Sequence, residues 1–205
     1  MTERKFYKQA YQLIFKEGKT HQEVYDQFVK ETKLGPESVA RTLSMVPSKR
    51  KHESLKSVLM LFIGLVIGIA AIRLVVMFST DQLEVMNIWT MIFAVLMIVG
   101  APALAIYGSF NGKVYMFGGA SFFIVCGIIR GFFSTDLGTE ATQYAIIGMG
   151  VIAFILSSIL PLRLRVGYEQ KLIDKEKEGK IVKRITYTFD DTKRVTRKQA
   201  FKENF

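Results

Sequence analysis

Apolar and polar residues follow one another in long blocks along this chain. Four blocks of about 20 residues are almost entirely apolar: 57–78, 88–107, 114–133 and 143–162. An α-helix needs about 20 apolar residues to cross about 30 Å of hydrocarbon, because each residue rises about 1.5 Å. Four such helices buried in a soluble core would leave too little polar chain to cover them. The pattern therefore predicts four membrane-spanning helices.

The links between these blocks are short and set their arrangement. They comprise residues 79–87, 108–113 and 134–142. Short links make consecutive helices antiparallel neighbours. We therefore expect an all-α polytopic membrane protein, in which residues 57–162 form an antiparallel bundle of four transmembrane helices.

Residues 1–47 show a different pattern, with apolar residues at helical spacing between polar ones. Gly18 ends a first amphipathic segment, and Thr20 with Glu23 has the spacing of a capping box that opens a second helix. Pro36 suits the first turn of a third. The pattern predicts a small cytoplasmic module of three short helices. It resembles the helical modules that precede the spans of many bacterial membrane proteins, and the resemblance implies no activity.

The remaining polar segments are a basic juxtamembrane linker, 48–56, and a basic tail, 163–205. In the tail, 163–180 is charged and favours a helix that continues the fourth span. Alternating apolar residues in 181–189 predict a strand, with a turn at Asp190. Residues 195–205 suit either a return strand, which would make a β-hairpin, or a terminal amphipathic helix. Because one hairpin is marginal alone, we expect this tail to pack on the N-terminal helices, a partner or a second subunit.

The charges sharpen this architecture. The chain has 205 residues, a formal net charge of +10, 50% hydrophobic residues and one cysteine, Cys126. The apolar content excludes a disordered chain, and the single cysteine excludes a disulfide scaffold. The N-terminal helices could also be interpreted as a helix-turn-helix motif. Its recognition helix would offer one arginine, Arg41, beside the acidic Glu37, which is poorly suited to binding DNA phosphates and argues against nucleic acid as a partner.

The distribution of basic residues predicts the topology. Basic residues lie before the first span and after the fourth, and the middle link contributes Lys113. The other two links contain acidic residues and no Lys or Arg. By the positive-inside rule, both termini are expected in the cytoplasm, as in a multi-pass protein of a bacterial cytoplasmic membrane. The residues expected to meet the anionic headgroups of the inner leaflet are Lys49, Arg50, Lys51, Lys56, Arg163 and Arg165.

Arg73 and Arg130 are the two charges inside the predicted spans, and each lies near the outer end of its helix. Intramembrane charges are candidates for function. One interpretation is structural: the arginines snorkel to the interface or pair with acidic residues of the outer links. The other is an anion or ligand site. The available acidic partners are Asp81, Glu84, Asp136 and Glu140.

Two pairs of glycines have the spacing that lets helices approach closely. They are Gly64 with Gly68, and Gly127 with Gly131. Packing within the bundle is the favoured interpretation, and a subunit interface is the alternative.

Motifs that would indicate catalysis are missing from the sequence. His21 and His52 have no cluster of Cys, His or carboxylates around them, and no phosphate-binding loop or metalloprotease motif occurs. We therefore expect no enzyme, cofactor or metal. The leading hypothesis is a membrane-embedded scaffold or sensor that couples the bundle to cytoplasmic partners, or to other copies of itself. The alternative is an oligomeric channel or pore, or a transporter of small molecules or anions.

Overall fold

The structure of the chain is a computed structural model that describes residues 2–32, 34–79, 87–133, 140–177 and 180–190. The chain divides into two compact units. One joins the two ends of the sequence, Met1–Leu55 and Leu162–Phe205, and is called the terminal unit below. The other, Lys56–Pro161, is called the bundle.

Four helices form the N-terminal part of the terminal unit: α1 (Glu3–Phe15), α2 (His21–Glu31), α3 (Pro36–Ser44) and α4 (Lys49–Ser54). Gly18 adopts a φ of 72°, which lets the chain reverse after α1. The predicted capping box is confirmed, because the Thr20 hydroxyl accepts from the Glu23 amide and the Glu23 carboxylate accepts from the Thr20 amide. Pro36 opens α3 as expected. The basic linker contains α4, whose N-cap is Ser48.

The C-terminal part is an antiparallel hairpin of β1 (Gly167–Lys177) and β2 (Lys180–Asp190). The predicted strand over 181–189 is confirmed, but the helix predicted over 163–180 is wrong beyond Leu164, where the last helix ends. The strand thus pairs with the segment before it. Cross-strand pairs such as Tyr168 with Phe189 outweigh the helix propensity of a Lys- and Glu-rich sequence. The predictions for 195–205 lie outside the described residues.

The core of the terminal unit unites both ends of the chain. The Tyr187 ring of β2 lies 6.1 Å from that of Tyr25 in α2, and Tyr25 is also 5.6 Å from Phe189. The hairpin therefore packs on the N-terminal helices, one of the three expected possibilities. The buried members of this core are Phe6, Ala10, Ile14, Val24, Tyr25, Phe28, Val39, Ala40, Leu43, Val46 and Tyr187.

The bundle contains the apolar blocks of the sequence: α5 (Lys56–Ser79), α6 (Ile88–Phe110), α7 (Met116–Phe133) and, ending beyond Pro161, α8 (Glu140–Leu164). Three of them, with 24, 23 and 25 residues, are long and apolar enough to cross a membrane. The exception is α7, which is apolar but shorter, with 18 residues or about 27 Å at 1.5 Å per residue. The chain is thus mostly helical and has the character of a multi-pass membrane protein.

Side chains of two kinds hold the bundle together. Apolar rings interlock, as where Phe62 of α5 meets Phe117 of α7 at 5.7 Å. A polar contact joins α7 to α8, because the Ser121 and Ser157 hydroxyls are 2.6 Å apart. Many large apolar side chains face outward instead, and Trp89 is 75% exposed. Such exposed apolar surface suits a lipid environment.

Candidate functional site

The side chain of Arg73 reaches from α5 to α7. Its Nη2 donates a hydrogen bond to the carbonyl oxygen of Gly127. A Cβ on residue 127 would lie 3.0 Å from the Arg73 Cζ and closer still to Nη1. Gly127 therefore makes room for the guanidinium, which the sequence did not predict, since it suggested packing between helix backbones. The sequence does contain a signal for this contact, because Gly127 lies on its helix at about the same distance from the helix end as Arg73 does on α5.

Arg130 lies three residues beyond Gly127 on α7, close to the same end of the bundle. Residues at this spacing are neighbours on a helix surface, with about 5–6 Å between Cβ positions. Arg130 is exposed. The structure thus places Arg130 about one helical turn from the carbonyl group that Arg73 binds.

Of the four predicted acidic partners, Glu140 is described and the others, Asp81, Glu84 and Asp136, lie outside the described residues. Glu140 opens α8 and is exposed. Among the described residues, no ion pair joins either arginine to Glu140. The Arg73 Nε is buried and has no hydrogen-bond partner in the part of the chain that the structure describes.

A small cavity lies beside Arg73 in the middle of the bundle. All four helices contribute to its walls, which are apolar apart from Arg73 and include Phe123, Ile146 and Gly150. Its volume of about 20 Å³ is sufficient for about one water molecule. The described centre of a single bundle is therefore packed, and it contains no conduit at this level.

The glycines divide into those that pack within the bundle and those that face open space. A Cβ on Gly100 would collide with the Phe123 ring, and one on Gly150 would lie 2.8 Å from Ile128. A Cβ on Gly64 or Gly68 would meet no atom within 4 Å. Within the described bundle, Gly64 and Gly68 therefore do not pack against another helix, contrary to the favoured interpretation. The surroundings of Gly131 lie outside what the structure describes.

The basic residues expected at lipid headgroups differ in their surroundings. Lys49, Arg50, Lys56 and Arg163 are exposed, as headgroup contact requires. Lys51 instead donates from Nζ to the carbonyl oxygen of Arg165, at 2.8 Å, and Arg165 is half-buried. Since a lysine near the C-terminal carbonyls of a helix is favourable, Lys51 stabilises the end of α8 and ties it to α4.

A set of hydrogen bonds in the terminal unit was not predicted from the sequence. His21 is buried, and its Nε2 lies 2.8 Å from the carbonyl oxygen of Val46. The adjacent Gln22 accepts from the Phe189 amide at 3.0 Å, so its side chain pairs with the backbone of β2. The Val166 amide donates to the carbonyl oxygen of Ser44, at 3.0 Å, just before β1. These contacts fasten the open end of the hairpin, where β1 begins and β2 ends, to the N-terminal helices.

Burial shifts the pKa of two tyrosines in this unit. It raises the pKa of Tyr11 and that of Tyr187 above the usual range, and in Tyr187 the negative charge of Glu37 and the neighbouring Tyr25 add to the effect. Both phenols therefore remain neutral at physiological pH.

The described part of the chain contains no group of three or more His, Cys, Asp or Glu residues that could hold a metal. Comparison with protein families, with curated proteins and with solved structures finds no match to this chain.

Proposed function

We propose that the chain is a non-enzymatic membrane protein with four spans and both termini in the cytoplasm, of the bacterial cytoplasmic membrane type, and that it acts as a scaffold or sensor. The supporting observation is the terminal unit. Its core contains Tyr187 from the last strand beside Tyr25 from the second helix, and the whole bundle is inserted between them in the sequence. Both ends of the bundle sequence are covalently joined to this unit, at the start of α5 and near the end of α8. A change in the bundle that moves one of these ends relative to the other therefore acts on the core of the terminal unit.

The hairpin offers a surface for a partner. Leu172 and Ile185 are cross-strand partners on one face of the hairpin, and their large apolar side chains are 66% and 43% exposed. Exposed apolar patches of this kind mark sites of protein–protein interaction. We place the partner contact on these residues.

In-cell photo-crosslinking tests the partner contact. A photoreactive residue at Leu172 is expected to give a discrete crosslinked product, whereas the same residue at exposed, polar Glu53 is expected to give none. Adding Ile185→Asp, on the same face as Leu172, should abolish the product without lowering the thermal stability of the chain. A product of equal yield at both positions, or none at either, contradicts the scaffold.

Cysteine labelling tests the topology. In a Cys126→Ser background, Ser79→Cys and Glu53→Cys place single thiols at exposed positions. A membrane-impermeant maleimide applied to intact cells should label the thiol at 79 and spare the one at 53, which should react only after lysis. The reverse pattern contradicts cytoplasmic termini.

An oligomeric pore is the second candidate, favoured by the open space beside Gly64 and Gly68. Because the centre of one bundle is packed, a conduit needs several copies, and this glycine face would let their α5 helices approach. Gly64→Leu with Gly68→Leu should then convert oligomers to monomers in mild detergent and abolish anion flux into liposomes. A wild-type chain that is monomeric and gives no flux excludes the pore.

A further inference from the structure

Arg73 and Arg130 form a cationic pair whose hydrogen-bonding capacity is mostly unused within the protein. A guanidinium has five N–H donors. The contact of Arg73 with a described protein atom is the one to the Gly127 carbonyl oxygen, and Arg130 has none among the residues that the structure describes. Leaving so many charged donors unsatisfied in a membrane-spanning bundle is costly.

The pair also lacks a compensating negative charge. Within the described parts of α5, α6, α7 and α8, the acidic residue is Glu140, which is exposed and in no ion pair with either arginine. Arg73 binds the carbonyl oxygen of Gly127, three residues from Arg130 on α7, and like charges in such proximity repel each other strongly where the dielectric constant is low. An anion between them would remove both the repulsion and the unsatisfied donors.

The space beside Arg73 determines the direction from which an anion can approach. The cavity on its inner side, of about 20 Å³, is too small for anything beyond about one water molecule. The anion must therefore approach from the side on which Arg130 is exposed. Both arginines lie near the ends of their helices, about 9 Å before Ser79 for Arg73 and about 5 Å before Phe133 for Arg130 at 1.5 Å per residue. The planar fork of a guanidinium matches phosphate oxygens, and two forks can hold one phosphate group.

We propose that Arg73 and Arg130 together bind the phosphate group of an anionic ligand, with Gly127 positioning Arg73. The chemistry is the same for the headgroup of an anionic phospholipid in the adjoining leaflet and for a free phosphate. The site does not depend on the scaffold function, since it lies in the bundle and needs no protein partner.

Native mass spectrometry of the full chain in mild detergent tests the site. The probes are phosphatidylglycerol, phosphatidylcholine and inorganic phosphate, each titrated separately. We expect one phosphatidylglycerol molecule to bind at least tenfold more tightly than phosphatidylcholine. Arg130→Gln and Arg73→Gln should each weaken this binding at least tenfold, whereas Arg4→Gln, which removes an exposed charge from α1 in the terminal unit, should leave it unchanged.

The variants keep the outcome interpretable. No hydrogen bond or ion pair joins Arg130 to a described residue, so Arg130→Gln tests the site even if loss of the Gly127 contact destabilises Arg73→Gln. Binding of inorganic phosphate with the same dependence on both arginines would identify the free anion as the ligand. Equal affinities in the wild type and Arg130→Gln, or an equal loss in Arg4→Gln, would overturn the proposal, because binding would then reflect general charge.

Discussion

Gly127 and Gly64 each begin a pair of glycines spaced four residues apart but have opposite surroundings. The space beside Gly127 is taken by the guanidinium of Arg73, and the space beside Gly64 is open. Their roles therefore depend on the rotation of each helix about its axis. In a membrane bundle, where burial of apolar surface contributes little to association, one hydrogen bond from a charged donor is a substantial part of the contact between two helices.

Substitution by alanine separates these two glycines. Gly127→Ala should displace Arg73 and break its hydrogen bond, lowering the stability of the bundle by about 1–3 kcal/mol. Gly64→Ala should be neutral or slightly stabilising, because its Cβ meets nothing and alanine favours the helix. Thermal unfolding in detergent measures both. In an Arg73→Gln background, Gly127→Ala should cost much less, and an undiminished cost would show that Arg73 is not what Gly127 accommodates.

Tyr187 makes the terminal unit sensitive to alkaline pH. Its pKa is higher in the folded chain than in the unfolded one, chiefly because of burial, so its contribution to stability is complete below the unfolded pKa, about 10. This contribution is lost as the pH rises through the folded pKa. Calorimetry of the full chain should show the transition of the terminal unit falling in temperature above pH 10, and less steeply in Tyr187→Phe. Identical pH profiles for the two chains would contradict this assignment.

At the scale of elements, local signals and distant contacts contributed differently. The starts of α2 and α3 were predictable because capping residues act within one helical turn. The strand β1 was not, since its Lys- and Glu-rich sequence favours a helix and its stability comes from pairing with β2 and packing on the helices. The pairing of Arg73 with Gly127 was equally hidden, because the charge pattern shows depth along a helix and not which face meets a neighbour.

The caps of α1 and α2 offer a matched test of local stabilisation. The Thr20 hydroxyl accepts a hydrogen bond from the Glu23 amide, whereas the Thr2 side chain, also at an N-cap, makes no such bond. Thr20→Ala should cost about 1 kcal/mol, which corresponds to about fivefold faster hydrogen exchange of the α2 amides. Thr2→Ala should leave α1 unchanged. Equal effects of the two substitutions would contradict the role of the capping box.

At the scale of the molecule, the terminal unit has its own core. Its two chain segments meet close to the points where they connect to the bundle. Lys51 contacts Arg165, so the segments that lead into and out of the bundle are adjacent within the unit. The unit should therefore fold without the bundle when a short glycine–serine linker replaces 56–161. We expect a soluble protein with one cooperative thermal transition by circular dichroism. Tyr187→Ala, which empties a buried site, should lower its stability by about 3–5 kcal/mol. A chain that aggregates or melts without cooperativity would contradict an independent core.

The division of the terminal unit between both ends of the sequence also imposes an order on synthesis. The ribosome makes α1 to α3 first, then the four helices of the bundle, and only afterwards β2 with Tyr187. Until that strand emerges, the face of Tyr25 that it covers has no strand to bury it. The nascent chain thus presents an incomplete apolar surface throughout membrane insertion, a natural target for a chaperone, and it reaches its native state only after every span has been made.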